Sequence, residues 1–224
     1  MRNAILFAPF KTKFGVKRAS DVVDDVGLTL SMHLPASRDC KILNGTCYDE
    51  YKEQLFIRGG YNVILVDWTW GNFPDPDGAI INSFVAGEET GFVIKNIMMQ
   101  NNYADGSKFH IIGHSAGAYI SITAGKFIRE WSSAHKLRRI TLLDTGVLVY
   151  RNDDFAHNTT YKEAHFVDVI HADAGTCFGS VVGALTPLGH ADFFPNGGTL
   201  QLSCYFHAIE AILRGDILVG GKFF

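Results

Sequence analysis

The chain has 224 residues, of which 47% are hydrophobic, and its formal net charge is −3 at neutral pH. This apolar content excludes a disordered chain, and the small acidic charge excludes a basic scaffold with a nucleic-acid partner. The length predicts a single domain over residues 1–224 with a sizeable core. No apolar run approaches the roughly 20 residues that span a membrane, so we expect no transmembrane segment.

Cysteine spacing bears on metals and on the redox compartment. The four cysteines form no C-x-x-C pair, which argues against a structural zinc site. Their even number permits two disulfides. Of the three pairings we favour Cys40–Cys47 with Cys177–Cys204.

Three short segments also bear on the compartment. Residues 44–46 (NGT) and 158–160 (NTT) match the N-glycosylation pattern and, with the cysteines, favour an oxidising compartment. Residues 1–10 have one basic residue and a short apolar patch without a cleavage site, which does not predict a signal peptide.

The first predicted elements lie before residue 70. Residues 22–23 and 26–30 are expected to form an edge strand. Residues 48–57 carry apolar side chains at helical spacing, and Gly59 and Gly60 predict the end of that helix. Residues 61–68 are almost continuously apolar, which is typical of a strand buried on both faces of a parallel sheet.

Helices and strands are also predicted to alternate in the rest of the chain. Apolar periodicity predicts a long helix over residues 79–100, interrupted at Gly87 or Gly91. Two more strands are expected over residues 137–144 and 166–171. Strands that alternate with helices indicate an α/β protein with a doubly wound sheet.

The most informative stretch joins an apolar strand to a helix through residues 113–117 (GHSAG). G-x-S-x-G between a strand and a helix is the signature of a nucleophile elbow. A sharp turn raises the Ser115 hydroxyl above the carboxyl edge of the sheet, and small neighbours let strand and helix approach. The helix N-terminus then lies behind the serine, where its N–H groups favour a developing oxyanion.

A serine nucleophile needs a general base and an acid that orients the base. In this arrangement the chain order is Ser, acid, His. Asp144 is the first candidate for the acid because it closes the strand after the elbow helix and so shares the sheet edge with Ser115. Asp168, Asp173 and Asp192 are the alternatives.

Three histidines downstream of Asp144 are candidates for the base: His171, His190 and His207. Chemistry and chain order alone do not choose between them. His114 directly precedes the nucleophile, and we expect it to orient the turn because adjacent residues of an elbow point apart.

The oxyanion hole is predicted to combine the N–H of Ala116 with one from an early strand-to-helix loop. The loop at that position is formed by residues 44–46, which makes Thr46 the candidate for the second donor. A glycan on Asn44 would block the site, so we expect its glycosylation sequence to be unused.

Five segments, in chain order, resemble motifs of the pancreatic-type lipase family, which includes triglyceride lipases, venom phospholipases and insect neutral lipases. The segments are residues 62–68 (NVILVDW), 110–118 (HIIGHSAGA), 139–144 (RITLLD), 166–173 (FVDVIHAD) and 189–198 (GHADFFPNGG). The resemblance covers about residues 38–212. It implies an α/β-hydrolase fold, with a mostly parallel sheet and helices on both faces.

The resemblance also implies a function and a set of site residues. The family hydrolyses carboxylic esters of acyl lipids, makes transient contact with lipid interfaces and is secreted. Its triad maps onto Ser115, Asp144 and His207, where His207 corresponds to the family histidine that follows a cysteine.

The chain departs from the family pattern near the site. Residues 44–46 replace the H-G-F or H-G-W oxyanion loop, and Thr145 replaces the proline after the acid. Two residues rather than one separate Cys204 from His207. These departures keep open a second interpretation, a catalytically impaired relative that binds lipid or a lipid conjugate, as yolk proteins of the family do.

Other departures concern cofactors and extent. Residues 158–164 lack two anchors of the family's calcium loop, so we expect no calcium, no other metal and no cofactor. Little chain separates residue 198 from His207, which predicts a short lid. The chain ends at Phe224, so the resemblance predicts a domain truncated at its carboxyl end, without the family's β-sandwich.

Overall fold

The computed structural model describes residues 2–8, 29–33, 47–68, 76–101, 106–132, 134–146, 160–174, 176–177, 180–181, 183–199, 201 and 213–214. Two predicted site residues, Thr46 and His207, lie outside these ranges. One cysteine of each favoured disulfide, Cys40 or Cys204, also lies outside them. The roles and pairings of these residues stay predictions.

Within the described ranges, seven strands form the main sheet and two short strands form a separate hairpin. In chain order the strands are β1 Arg2–Ala8, β2 Thr29–His33, β3 Tyr61–Asp67, β4 Phe109–His114, β5 Leu137–Leu143, β6 Ala164–Ile170, β7 Thr176–Cys177, β8 Ser180–Val181 and β9 Ala191–Phe193. The main sheet has the order β2-β3-β1-β4-β5-β6-β9, and only β2 at its edge pairs antiparallel. Residues 29 and 30 of the predicted edge strand lie in β2, and its earlier residues lie outside the described ranges.

The amino-terminal apolar patch forms β1, which the sequence did not predict as a strand. β1 pairs in parallel with both β3 and β4, so that Ile5 lies between Ile64 and Ile111. Seven residues without strict alternation carry little strand signal of their own. The position of this segment depends on pairing with strands more than 50 residues away.

The α-helices whose bounds the structure describes are α1 Cys47–Arg58, α2 Pro76–Gln100 and α3 Ala116–Trp131. The predicted end of α1 is confirmed, since Gly59 and Gly60 have φ values of 71° and 77°. The N–H of Gly59 donates to the carbonyl oxygens of Leu55 and Phe56 at 3.1 and 3.0 Å. Glycine adopts this left-handed backbone without a Cβ clash, which explains the pair at the helix end.

The predicted interruption of the second helix is wrong, because α2 is continuous from Pro76 to Gln100. Its glycines lie against α3 instead. A Cβ at Gly87 would stand 2.5 Å from the Thr123 Cβ, and one at Gly91 would stand 2.7 Å from the Phe127 Cβ. The two glycines therefore let the helices approach closely, a role that depends on a neighbour remote in sequence.

The core lies where α3 covers the central strands. Ile111 on β4, Ile120 and Ile122 on α3 and Ile140 on β5 have no exposed surface, and they belong to one apolar cluster. Among the described residues, no helix is both long and apolar enough to cross a membrane. A largely parallel sheet with a strand-turn-helix at its centre confirms the predicted α/β-hydrolase fold.

Candidate active site

The predicted elbow is present between β4 and α3. Ser115 is the N-cap of α3 and has φ 53° and ψ −121°, a backbone conformation that side-chain-bearing residues rarely adopt. Its hydroxyl makes no capping hydrogen bond. The backbone is held instead by the Ser115 N–H, which donates to the Leu143 carbonyl at 2.9 Å. Ser115 thus occupies a cap position without acting as a cap through its side chain.

Gly113 shows why the elbow needs small residues. A Cβ at this position would stand 2.2 Å from the Gly117 carbonyl oxygen and 2.3 Å from the Ser121 Oγ. Both atoms belong to the first turns of α3, so strand and helix touch at this point. The sequence-based reason for the motif is therefore confirmed by the packing.

Asp144 follows β5 directly and lies beside the elbow, because β5 pairs with β4 and the Leu143 carbonyl receives the Ser115 N–H. It also has positive φ, at 44°. Its Oδ1 accepts from the N–H groups of Ala172 and Asp173 at 2.5 and 2.8 Å. Within the described part of the chain no donor reaches Oδ2.

Two titratable side chains, those of Asp173 and His114, interact electrostatically with this carboxylate. Desolvation raises the pKa of the Asp173 carboxyl, and the negative charge of Asp144 acts in the same direction. Desolvation also lowers the pKa of His114, although its side chain keeps contact with solvent, while Asp144 and Asp173 oppose that shift. His114, Asp144 and Asp173 therefore share one electrostatic environment at the carboxyl edge of the sheet.

Two of the alternative acids are engaged elsewhere. Asp168 lies within β6, where Arg139 donates to its two carboxylate oxygens at 2.7 Å each and Thr141 donates at 2.9 Å. Arg139 is the main favourable partner that keeps the pKa of Asp168 below its ordinary value, against the effect of burial. Asp192 accepts from the N–H groups of Leu188 and Gly189 at 2.8 and 3.1 Å.

Two of the candidate bases are also engaged. His171 is fully buried, with Nδ1 at 2.6 Å from the Ala184 carbonyl and Nε2 at 2.9 Å from the Asp192 carboxylate. The Nδ1 of His190 accepts the Val167 N–H at 3.0 Å, near the middle of β6 and away from the carboxyl edge. Neither ring is placed to take a proton from Ser115.

His171 instead supports the turn that holds Asp144. Its ring stacks on Phe194 with centroids 4.3 Å apart, and its backbone N–H donates to the Phe193 carbonyl at 2.9 Å. The next two residues, Ala172 and Asp173, supply the N–H groups that bind Asp144. The sequence signalled this histidine only as a possible base, because pairing with Asp192 is visible only in the fold.

Gln201 was not singled out in the sequence, yet it connects the acid to the segment that leads to His207. Its Nε2 donates to the carbonyls of Ala172 and Pro195 at 2.9 and 3.0 Å. Six residues of extended chain reach at most about 20 Å. The chain from Gln201 to His207 is therefore long enough to bring the imidazole to Asp144.

Of the two predicted oxyanion donors, the structure describes Ala116 but not Thr46. Ala116 is the first residue of α3, so its N–H is one of the first-turn groups without an acceptor inside the helix. The strand beside β4 on the side away from Asp144 is β1, which ends at Ala8. The residues after Ala8 and the loop ending at Thr46 both lie outside the described ranges, and the second donor stays a prediction.

A sequence model of the lipase family matches residues 42–220, which is most of the chain. This chain belongs to the pancreatic-type lipase family. The match includes Ser115, Asp144 and His207, so the family assignment extends over all three predicted triad positions.

Individual lipases support the assignment. Hepatic triacylglycerol lipase of Oryctolagus cuniculus is 34% identical over 145 residues, 65% of this chain and 28% of that protein. Pancreatic lipase-related protein 2 of Homo sapiens is 34% identical over 165 residues, 73% of this chain and 34% of that protein. The human protein named inactive pancreatic lipase-related protein 1 is 32% identical over 170 residues, 75% of this chain and 35% of that protein. The chain thus matches about a third of the length of these relatives.

Proposed function

We propose that this chain is a carboxylic-ester hydrolase that acts on acyl lipids through a Ser115–His207–Asp144 triad and an acyl-enzyme. The observation that carries the proposal is the elbow. Ser115 has strained backbone at the start of α3, its hydroxyl is not used as a cap, and Asp144 follows the adjacent strand. Strain of this kind, of order 1–3 kcal/mol, persists at sites where it orients a reactive group.

In the first half of the proposed reaction, the Ser115 Oγ attacks the ester carbonyl carbon while His207 takes its proton. Asp144 orients the imidazole through Oδ2 and stabilises its charged form. The N–H groups of Ala116 and Thr46 bind the oxyanion of the tetrahedral intermediate. His207 then gives the proton to the departing alcohol, which leaves an acyl group on Ser115.

In the second half, a water molecule attacks the acyl carbonyl and His207 takes the water proton. Collapse of this tetrahedral intermediate releases the carboxylic acid and returns the proton to Ser115. The atoms and charges of the proposed reaction balance without a cofactor.

Substrate and location follow from the family and belong to the same proposal. One similar protein is named a hepatic triacylglycerol lipase and another a pancreatic lipase-related protein, which supports a lipid ester as substrate and transient contact with a lipid surface. We propose a secreted protein on the family resemblance. Phospholipid esters remain within the proposed substrate class because the short predicted lid resembles that of venom phospholipases.

A second candidate is a relative that binds lipid without hydrolysing it. It is motivated by the altered oxyanion loop, by the extra residue between Cys204 and His207, and by similarity to a protein named inactive. The kept Ser115 argues for catalysis, since a binding protein has no need of a strained serine.

Labelling with an alkyl fluorophosphonate separates the two candidates. The wild-type chain is compared with Ser115→Ala, His207→Ala and the control Ser132→Ala, which changes a serine at the far end of α3. The proposal expects labelling of the wild type and of Ser132→Ala, and loss of labelling in the other two. Absence of labelling in a folded wild type would support the binding protein, and labelling kept in His207→Ala would exclude His207 as the base.

A further inference from the structure

A cationic cleft opens at the amino edge of the sheet, opposite the edge that carries Ser115. Its volume is about 540 Å³. Arg58 at the end of α1, Lys108 directly before β4 and Arg138 near the start of β5 line it, together with Tyr61 at the start of β3. Small-molecule sites have volumes of roughly 300–1,000 Å³, so this amino-edge cleft has the size of such a site.

The described residues that line the cleft are positively charged, whereas the whole chain has a negative net charge. The chain carries a net charge of −3, yet three cations and no carboxylate stand among the described residues that line the cleft. Neither Arg58 nor Arg138 forms an ion pair with a described residue, and both are exposed. The like charges of Arg58 and Arg138 repel each other, and a bound anion removes that repulsion.

The positive field of this region reaches into the sheet. Burial lowers the pKa of His110 to about 4, and the charges of Arg139 and Arg138 act in the same direction, while Asp168 opposes them. Arg139 is neutralised by its two bonds to Asp168. Arg138, at the neighbouring position of β5, forms no ion pair with a described residue.

The backbone leaves room in the cleft for a ligand. Gly59 and Gly60 form part of its wall, and a Cβ added at either would meet no atom within 4 Å. Tyr61 also lines the cleft. Arginine and lysine side chains in such a space offer the charge-assisted donors that phosphate and sulfate groups prefer.

The position of the cleft bears on the source of the anion. β4 runs from the cleft at Lys108 to the elbow at Ser115, a separation of roughly 20 Å at the rise of a strand. When the carboxyl edge meets a lipid surface, the amino edge faces away from that surface. An anion in the cleft therefore comes from solution rather than from the headgroups of the lipid that is being hydrolysed.

We infer that the amino-edge cleft binds a small soluble polyanion with two or more phosphate or sulfate groups, held by Arg58, Lys108 and Arg138. This site is separate from the ester-hydrolysing site. It leaves Ser115 accessible when it is filled.

Calorimetric titration of the whole chain with inorganic tripolyphosphate at low salt tests the inference. The double variant Arg58→Gln/Arg138→Gln removes two charges from the cleft. The control Lys126→Gln removes one exposed charge from α3, where Lys126 lies 3.9 Å from Glu130. We expect the double variant to weaken binding by about tenfold or more and the control to change it by less than about twofold. Binding should also weaken as salt rises, because exposed charges are screened.

Other outcomes overturn the inference. They are the absence of binding at millimolar tripolyphosphate, equal binding by the double variant, or an equal loss in Lys126→Gln. In one such outcome the chain does not bind tripolyphosphate but sediments with phosphatidylglycerol vesicles, and the double variant does not. That result would assign the cleft to lipid headgroups and overturn the inference of a soluble ligand. Fluorophosphonate labelling and circular dichroism, expected to be unchanged in all variants, show that the elbow and fold are intact.

Discussion

The two edges of the sheet both contain left-handed backbone, but different residues adopt it. At the amino edge, Gly59 and Gly60 end α1 with φ values of 71° and 77°. At the carboxyl edge, Ser115 and Asp144 have φ values of 53° and 44°. Glycine adopts such values freely, whereas a residue with a Cβ is destabilised by roughly 1–2 kcal/mol.

The difference shows where the fold stores strain. At the amino edge the turn is relaxed, because glycine adopts these φ values without a Cβ clash. At the carboxyl edge each strained residue is held by a backbone bond from its own N–H, to Leu143 for Ser115 and to Ile170 for Asp144 at 2.8 Å. Strain that neighbouring strands over-determine in this way is typical of sites that position reactive side chains.

The largest expected effect concerns the charge at the carboxyl edge. Asp144→Asn keeps an oxygen for the N–H groups of Ala172 and Asp173 but loses the negative charge that stabilises an imidazolium. We expect hydrolysis of a short-chain p-nitrophenyl ester to fall about 10³–10⁴-fold in kcat.

The matched control for this change is Asp173→Asn, one of the neighbours in the same environment. It should lower kcat by less than about tenfold, because its carboxylate holds no base in the proposed mechanism. Equal losses in the two variants would remove Asp144 from its assigned role.

The next effect concerns packing at the elbow. In Gly113→Ala the new methyl would stand 2.2 Å from the Gly117 carbonyl oxygen, so strand and helix must separate. We expect the free energy of unfolding to fall by about 3 kcal/mol, measured by urea denaturation. A loss below about 1 kcal/mol would mean that the elbow adjusts freely, contrary to the tight contact described here.

A pH-dependent effect is expected from the amino half of β4. The pKa of His110 is lowered to about 4, chiefly by burial, from an ordinary value near 6.5. Between those values the unfolded chain binds more protons than the folded chain, so stability falls as the pH drops from about 6.5 to about 4. The shift corresponds to a loss on the order of 3 kcal/mol.

Urea denaturation at pH 7 and pH 4.5 measures this loss, with His110→Gln as the comparison. The variant removes the titrating ring, so its stability should depend less on pH than that of the wild type. Identical pH dependence in the two proteins would exclude His110 as a source of acid sensitivity.

The smallest effect tests the comparison of the two edges directly. Ser115→Gly relieves backbone strain and should raise the free energy of unfolding by about 1 kcal/mol while it abolishes labelling. Gly60→Ala introduces a Cβ at φ 77° and should lower it by about 1 kcal/mol, with labelling unchanged. Changes of the same sign would show that the edges do not differ in strain.

Residues close together in the chain account for what the sequence determined. The order of strand, G-x-S-x-G and helix predicted the elbow at Ser115, and the strand that ends before Asp144 predicted a carboxylate at the same edge. The paired glycines predicted the end of α1. Turn chemistry and apolar periodicity act over a few residues, so these features are readable without a fold.

Contacts between distant segments decided the rest. The sequence predicted that the glycines of α2 interrupt the helix, whereas in the fold they let α3 pack closely against it. The amino-terminal patch forms a central strand because it pairs with β3 and β4. His171 is excluded as the general base because both of its ring nitrogens are hydrogen-bonded, to Ala184 and to Asp192. The amino-edge cleft gathers Arg58, Lys108 and Arg138 from positions up to 80 residues apart. Such pairings depend on strand order and side-chain burial, which arise only when the whole chain has folded.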